Sequence, residues 1–138
     1  MGYLEVQRLA VIAEDYRAVR GAVVQALLDT SQPGSAVLGR AEGGLETAYI
    51  ARLFSEFEAI LRPYLRANDP RRRPVPRSIY SVINRTVSVW HIPNALRDDV
   101  HQAREYRNSV VHADSTTRAA IPFSDAQSIL NKFLARLP

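Results

Sequence analysis

The stretch Asn94-Ala95-Leu96-Arg97-Asp98-Asp99-Val100-His101-Gln102-Ala103-Arg104-Glu105-Tyr106-Arg107-Asn108-Ser109-Val110-Val111-His112 decides the reading of this chain. Leu96, Val100, Ala103 and Val110 recur at helical spacing and form an apolar stripe, and Arg107 falls inside it. Burying an unpaired guanidinium costs several kcal/mol, so Arg107 must meet a carboxylate, line a wet cleft or sit at an interface. On a straight helix Asn108 and His112 share one face, with Arg107 about 100° round from them. Asn94 suits the N-cap position, and Asp98 and Asp99 lie near the positive end of the helix dipole.

Working outward, Leu9, Ile12, Ala13, Tyr16, Val19, Val23 and Leu27 predict one amphipathic helix from Tyr3 to about Asp29. The stretch 30–44 carries Pro33, Gly34, Gly39, Gly43 and Gly44 and predicts a flexible loop. A second helix is expected from about Leu45 to Arg66, with Tyr49, Leu53, Phe57, Ile60 and Tyr64 on one face and Pro63 bending or ending it. A basic, proline-rich, flexible loop follows at about 68–77. Ser78 to Trp90 is rich in β-branched residues, which suit a strand, but Ile79, Val82, Ile83, Thr86, Val87 and Trp90 keep three-four spacing and favour a third helix. After a loop holding Thr116, Thr117 and Pro122, Ser124 and Gln127 form a capping-box pattern before a last helix, Asp125 to Leu137. The expected fold class is all-α, a bundle of about five helices.

At 138 residues and 46% hydrophobic, the chain suits one domain with a proper core. It has no run of about 18 apolar residues and no charged leader before an apolar segment. No membrane partner is therefore expected, and the default location is cytoplasmic. Cysteine is absent, which removes thiolate zinc sites and cysteine nucleophiles, and His91, His101 and His112 lack metal-ligand spacing. No metal or other cofactor is expected. The net charge is +4, and Lys132 is the only lysine, so the positive charge is nearly all arginine. Arginine forks grip phosphate well, which permits an RNA partner, although a GC-rich genome accounts for the same bias.

The six residues from Arg107 to His112 resemble the R-N-x-x-x-H form of the signature of the HEPN superfamily, small α-helical proteins named for higher eukaryotes and prokaryotes nucleotide-binding. That signature is an arginine, four to six residues, then a histidine, often with a polar residue straight after the arginine. Arg107, Asn108 and His112 match it residue by residue. The run from Leu53 to Leu65 is similar to the acidic-aromatic second helix of many such proteins, with Glu56 as the polar partner of the motif. One branch carries a tyrosine two residues past the histidine; here that place is Asp114, so a tyrosine-modification switch is not expected.

The resemblance implies a HEPN-like bundle that pairs through the motif helix into a homodimer and acts as a metal-independent endoribonuclease. The implied setting is defence or toxin–antitoxin, with an antitoxin or other protein as a further partner. The chemistry fits the residues. RNA is cut without metal when its own 2′-hydroxyl attacks the adjacent phosphate, given a base, an acid and positive charge for the phosphorane. His112 titrates near neutrality, Arg107 stays charged, and Asn108 donates to phosphate or holds the imidazole. One histidine does not easily serve as both acid and base, so two copies are needed. Arg71, Arg72, Arg73 and Arg77 are expected to hold RNA. Each residue also has a plainer role: Arg107 in a buried ion pair with Glu56, His112 as a helix C-cap, and the loop arginines as solvated surface. The alternative function is a non-catalytic module binding RNA, a nucleotide or a protein, its motif helix serving dimerisation alone.

Overall fold

The computed structural model describes residues 3–29, 35–112 and 119–138. They form five helices: α1 (Tyr3–Asp29), α2 (Ser35–Asn68), α3 (Ile79–Trp90), α4 (Asn94–Val111) and α5 (Phe123–Leu134). No strand occurs among the described residues, so the all-α class predicted from the sequence holds.

Helices α1 and α2 lie antiparallel, because Arg8 pairs with Glu56, Asp15 with Arg52 (3.0 Å) and Arg20 with Glu42 (3.4 Å). These exposed pairs contribute little. The stabilising contact is apolar: Leu9, Ile12, Ala13 and Tyr16 of α1 join Ile50, Leu53, Phe54 and Phe57 of α2 in one core. Helix α2 also touches α3, α4 and α5, and α5 closes the core with Phe123, Ala126, Leu130, Phe133 and Leu134.

Several helix limits differ from the sequence reading. The loop expected at 30–44 is helical from Ser35 onward; residues 30–34 lie outside the described residues. Each interior glycine costs about 1 kcal/mol relative to alanine. At Gly43 and Gly44 that cost is tolerated because α1 runs alongside, with Arg20 reaching Glu42, and Thr47 Oγ1 donates to the Gly43 carbonyl (3.2 Å). Pro63 does not end α2, which continues to Asn68. The N–H it lacks would bond the Ala59 carbonyl, and both residues are on the exposed side, where that carbonyl is not shut away from solvent.

Helix α3 is a helix despite its β-branched residues. Ser78 Oγ accepts from the Ser81 N–H (3.1 Å), and His91 ends it in the left-handed region at φ 51°. Val82, Ile83, Thr86 and Val87 are buried, and the Thr86 hydroxyl donates to the Val82 carbonyl (2.8 Å), so no polar atom of that side chain goes unsatisfied in the core. In α4 the cap position belongs to Pro93, with no side-chain cap bond; Asn94 is the first helical residue. Its carbonyl neighbour Pro93 accepts from both Leu96 and Arg97 N–H (3.1 Å each). The Ser124–Gln127 capping box does not form either. Helix α5 begins at Phe123, whose N–H donates to Glu46 Oε1 of α2 (2.8 Å): a carboxylate 77 residues away does the capping.

The basic loop between α2 and α3 is anchored to the helices on either side of it. Two inward-turned arginines hold its backbone. Arg62 Nη1 donates to the Pro76 carbonyl (2.7 Å) and its Nη2 to that of Arg77, while Arg85 donates to that of Pro74. Asp69, 4% exposed, accepts from the Arg71 N–H (2.9 Å) and lies 3.3 Å from Arg85 Nε. Asp69→Ala should therefore lower stability in urea unfolding by about 3 kcal/mol, because the Arg85 charge is left buried without its counter-ion. Asp69→Asn should lose less, since its amide oxygen still accepts from Arg71.

Candidate functional site

Val100 and Ala103 of α4 are fully buried, but from Arg104 to Val110 every residue is only partly so, and Val111 and His112 are exposed. The helix thus emerges from the bundle over its last two turns, and the motif sits where it emerges. Arg107 continues the inward stripe, as its spacing predicted. Its guanidinium carbon lies 5.9 Å from the centroid of the Phe54 ring on α2, and its Nε is buried with no hydrogen-bond partner. Nη1 donates to Asn108 Oδ1 (2.8 Å). Among the described residues Arg107 has no carboxylate partner, so a part-buried positive charge rests on an aromatic face and one neutral amide.

Asn108 bonds on two sides. Its side-chain oxygen accepts from Arg107, and its backbone carbonyl accepts from the His112 N–H (3.0 Å), which closes the last turn of α4. It therefore positions the arginine, not the imidazole, and its amide N–H groups remain donors for an anion. His112 is the C-cap residue by backbone geometry, with an exposed side chain. The C-cap role and a catalytic role are compatible, since one uses the main chain and the other the ring.

Glu56 is not brought to the motif. Its carboxylate bonds Arg8 in the α1–α2 groove, on the side of α2 turned away from Phe54. Phe54 and Glu56 are two positions apart, which is about 200° of rotation on a helix. The ion pair with Arg107 does not form for that reason. Arg71, Arg72, Arg73 and Arg77 are exposed, and only Arg73 approaches a carboxylate, Asp69, at 3.8 Å. No hydrogen bond or ion pair among the described residues joins them to Arg107, Asn108 or His112. Asp114 lies outside the described residues.

A second cluster escaped the sequence reading. His101 of α4 bonds through Nε2 to Asn84 Oδ1 of α3 (2.9 Å), and Arg104 Nε approaches its Nδ1 (3.4 Å). An amide oxygen only accepts and a guanidinium only donates, so the proton sits on Nε2 and the ring is neutral. Tyr80 packs on His101 with ring centroids 4.6 Å apart, and a groove of about 820 Å³ opens beside them, lined also by Asn84, Ser88, His91 and Arg97. The signal was present in the spacing: Arg97, His101, Arg104, Asn108 and His112 fall within one band of the α4 surface. Among the described residues, no three His, Asp or Glu side chains gather to hold a metal ion. No helix among them is long and apolar enough to cross a membrane.

Comparison of the chain with family models, with curated proteins and with solved structures gave no match.

Burial first, then the Arg104 and Arg97 guanidiniums, hold the His101 pKa below its ordinary 6.5, with Asp98 and Glu105 opposing. The folded protein therefore resists a proton that the unfolded chain accepts, so His101 contributes stability above about pH 6.5 that declines as the pH falls below it. Unfolding free energy measured from pH 8 to pH 5 should fall on acidification, and His101→Gln should flatten the decline. An unchanged pH slope in that variant would mean that His101 is not its source.

Proposed function

We propose that this chain is a HEPN-like domain that cuts RNA without a metal, as a homodimer through α4, in a defence or toxin–antitoxin setting. The observation that carries this is Arg107: a part-buried guanidinium about one and a half turns before an exposed histidine on the same helix, held by Phe54 and Asn108, with no carboxylate among the described residues to neutralise it. A structural arginine in such a place is ordinarily paired, since the unpaired charge is costly. A phosphate supplies the missing anion and fits the guanidinium fork.

In the proposed reaction the 2′-hydroxyl proton passes to the His112 imidazole of one copy as the 2′-oxygen attacks the adjacent phosphorus. The P–O5′ bond breaks, and the leaving oxygen takes a proton from His112 of the other copy. Arg107 stabilises the charge on the phosphorane oxygens, and Asn108 keeps that guanidinium aimed. The products are a 2′,3′-cyclic phosphate and a 5′-hydroxyl. A second copy is required because each carries one histidine in the motif, and Val111, 50% exposed beside it, offers apolar surface for the pairing.

Purified protein should cleave mixed RNA in EDTA and sediment as a dimer at tens of micromolar. His112→Ala and Arg107→Ala should each lose about 10² or more in rate with helical content retained. Abolition of cleavage by EDTA, or a His112→Ala variant as fast as wild type, would overturn the mechanism. Inactivity of wild type on every RNA would favour the binding module.

Arg71, Arg72, Arg73 and Arg77 are proposed to grip the RNA backbone from outside the reacting site. Replacing all four by glutamine should weaken binding and flatten its dependence on salt, because fewer counterions are released. An unaltered salt slope returns them to solvated surface.

A further inference from the structure

We propose that the groove between α3 and α4 is a nucleobase subsite, in which one base of a single RNA strand stacks on the outer face of Tyr80. The inference rests on the RNA reading above and names where the strand is held. Tyr80 is 51% exposed, unusually open for a tyrosine that is itself packed. His101 lies 4.6 Å from its ring centroid and the Arg104 guanidinium 5.4 Å from it. These two groups are 3.4 Å from each other, far less than a ring sandwiched between them would allow, so both back the same face. The ring, at the edge of the groove it helps to line, keeps its other face for a ligand and is fixed in orientation by the cation and imidazole behind it.

The surroundings suit a base better than a cationic partner. Asn84 spends its oxygen on His101, which leaves its amide N–H groups for a base edge, and Ser88 adds a hydroxyl. Asp98, the carboxylate in the lining, is already bonded to Arg97 (2.8 Å). The groove also shares a face of α4 with the motif. His112 is eleven positions beyond His101, about 16 Å along the helix, so one short strand spans from Tyr80 to His112.

The test is fluorescence anisotropy with a labelled single-stranded 2′-O-methyl oligoribonucleotide, which lacks the attacking hydroxyl and so reports binding alone. Cleavage of unmodified RNA is followed in parallel. Tyr80→Ala should bind about tenfold or more weakly with unchanged circular dichroism, and Tyr80→Phe should bind as wild type does, because stacking needs the ring and not the hydroxyl. Tyr80→Ala binding as tightly as wild type would overturn the subsite, as would Tyr80→Phe losing as much as Tyr80→Ala. If wild type cuts unmodified RNA in either case, the ribonuclease reading survives. Wild type that neither binds the oligonucleotide nor cuts RNA would overturn both.

Discussion

Every other helix packs against α2, and that constraint sets what each side chain of the bundle is free to do. Ile50, Leu53, Phe54, Phe57, Ile60, Leu61 and Leu65 are all buried, and they point in several directions around one helix. Phe57 meets Phe133 of α5 at 5.6 Å, Tyr64 meets Trp90 of α3 at 5.3 Å, and Phe54 underlies Arg107 of α4. With so much of its circumference apolar, α2 has few places left for charge, and the carboxylates it carries serve α1, α5 and its own surface. Glu56 goes to Arg8, Glu46 to the start of α5 and Glu58 to Arg62. The side that faces α4 offers a ring instead of an acid, and for that reason Arg107 has no counter-ion there.

How much of this was legible depended on whether the cause was local. The inward turn of Arg107 followed from the spacing of Leu96, Val100 and Ala103, because periodicity alone fixes which face of a helix a residue occupies. The helical state of α3 was legible for the same reason, against its β-branched composition. The partner of Arg107 was not legible: naming Glu56 required the rotation of α2 about its axis relative to α4, and spacing within one helix carries no such information. The start of α5 went wrong similarly, since Ser124 and Gln127 have the local pattern of a cap, and Glu46 supplies the cap from a distant part of the chain. Glycine misled in the other direction at 39–44, where a poor intrinsic preference is outweighed by a helix already lying alongside.

The His101 cluster lies outside the run from Arg107 to His112 and is built from two helices, so no single stretch of sequence displays it. Tyr80 and Asn84 lie one turn apart on α3, and His101 and Arg104 on α4, so each pair is visible alone. What the sequence lacks is the antiparallel docking of α3 on α4, which converts two ordinary polar pairs into one groove. The basic loop shows the same thing from the opposite side. Its prolines and arginines read as a flexible loop, and what they do not disclose is that Arg62 and Arg85 reach from the neighbouring helices to the carbonyls of Pro74, Pro76 and Arg77.

The two bonds made by Asn108 bind the motif to the integrity of a single helical turn. Terminal turns open far more readily than the body of a bundle, with free energies near zero at a fraying end. When this one opens, the His112 main chain is released, while Arg107 keeps its place on the Phe54 ring. The arginine is thus set by the body of the bundle and the histidine by a single terminal bond, and anything that clamps the end of α4, whether a second copy or a bound strand, would fix the one relative to the other.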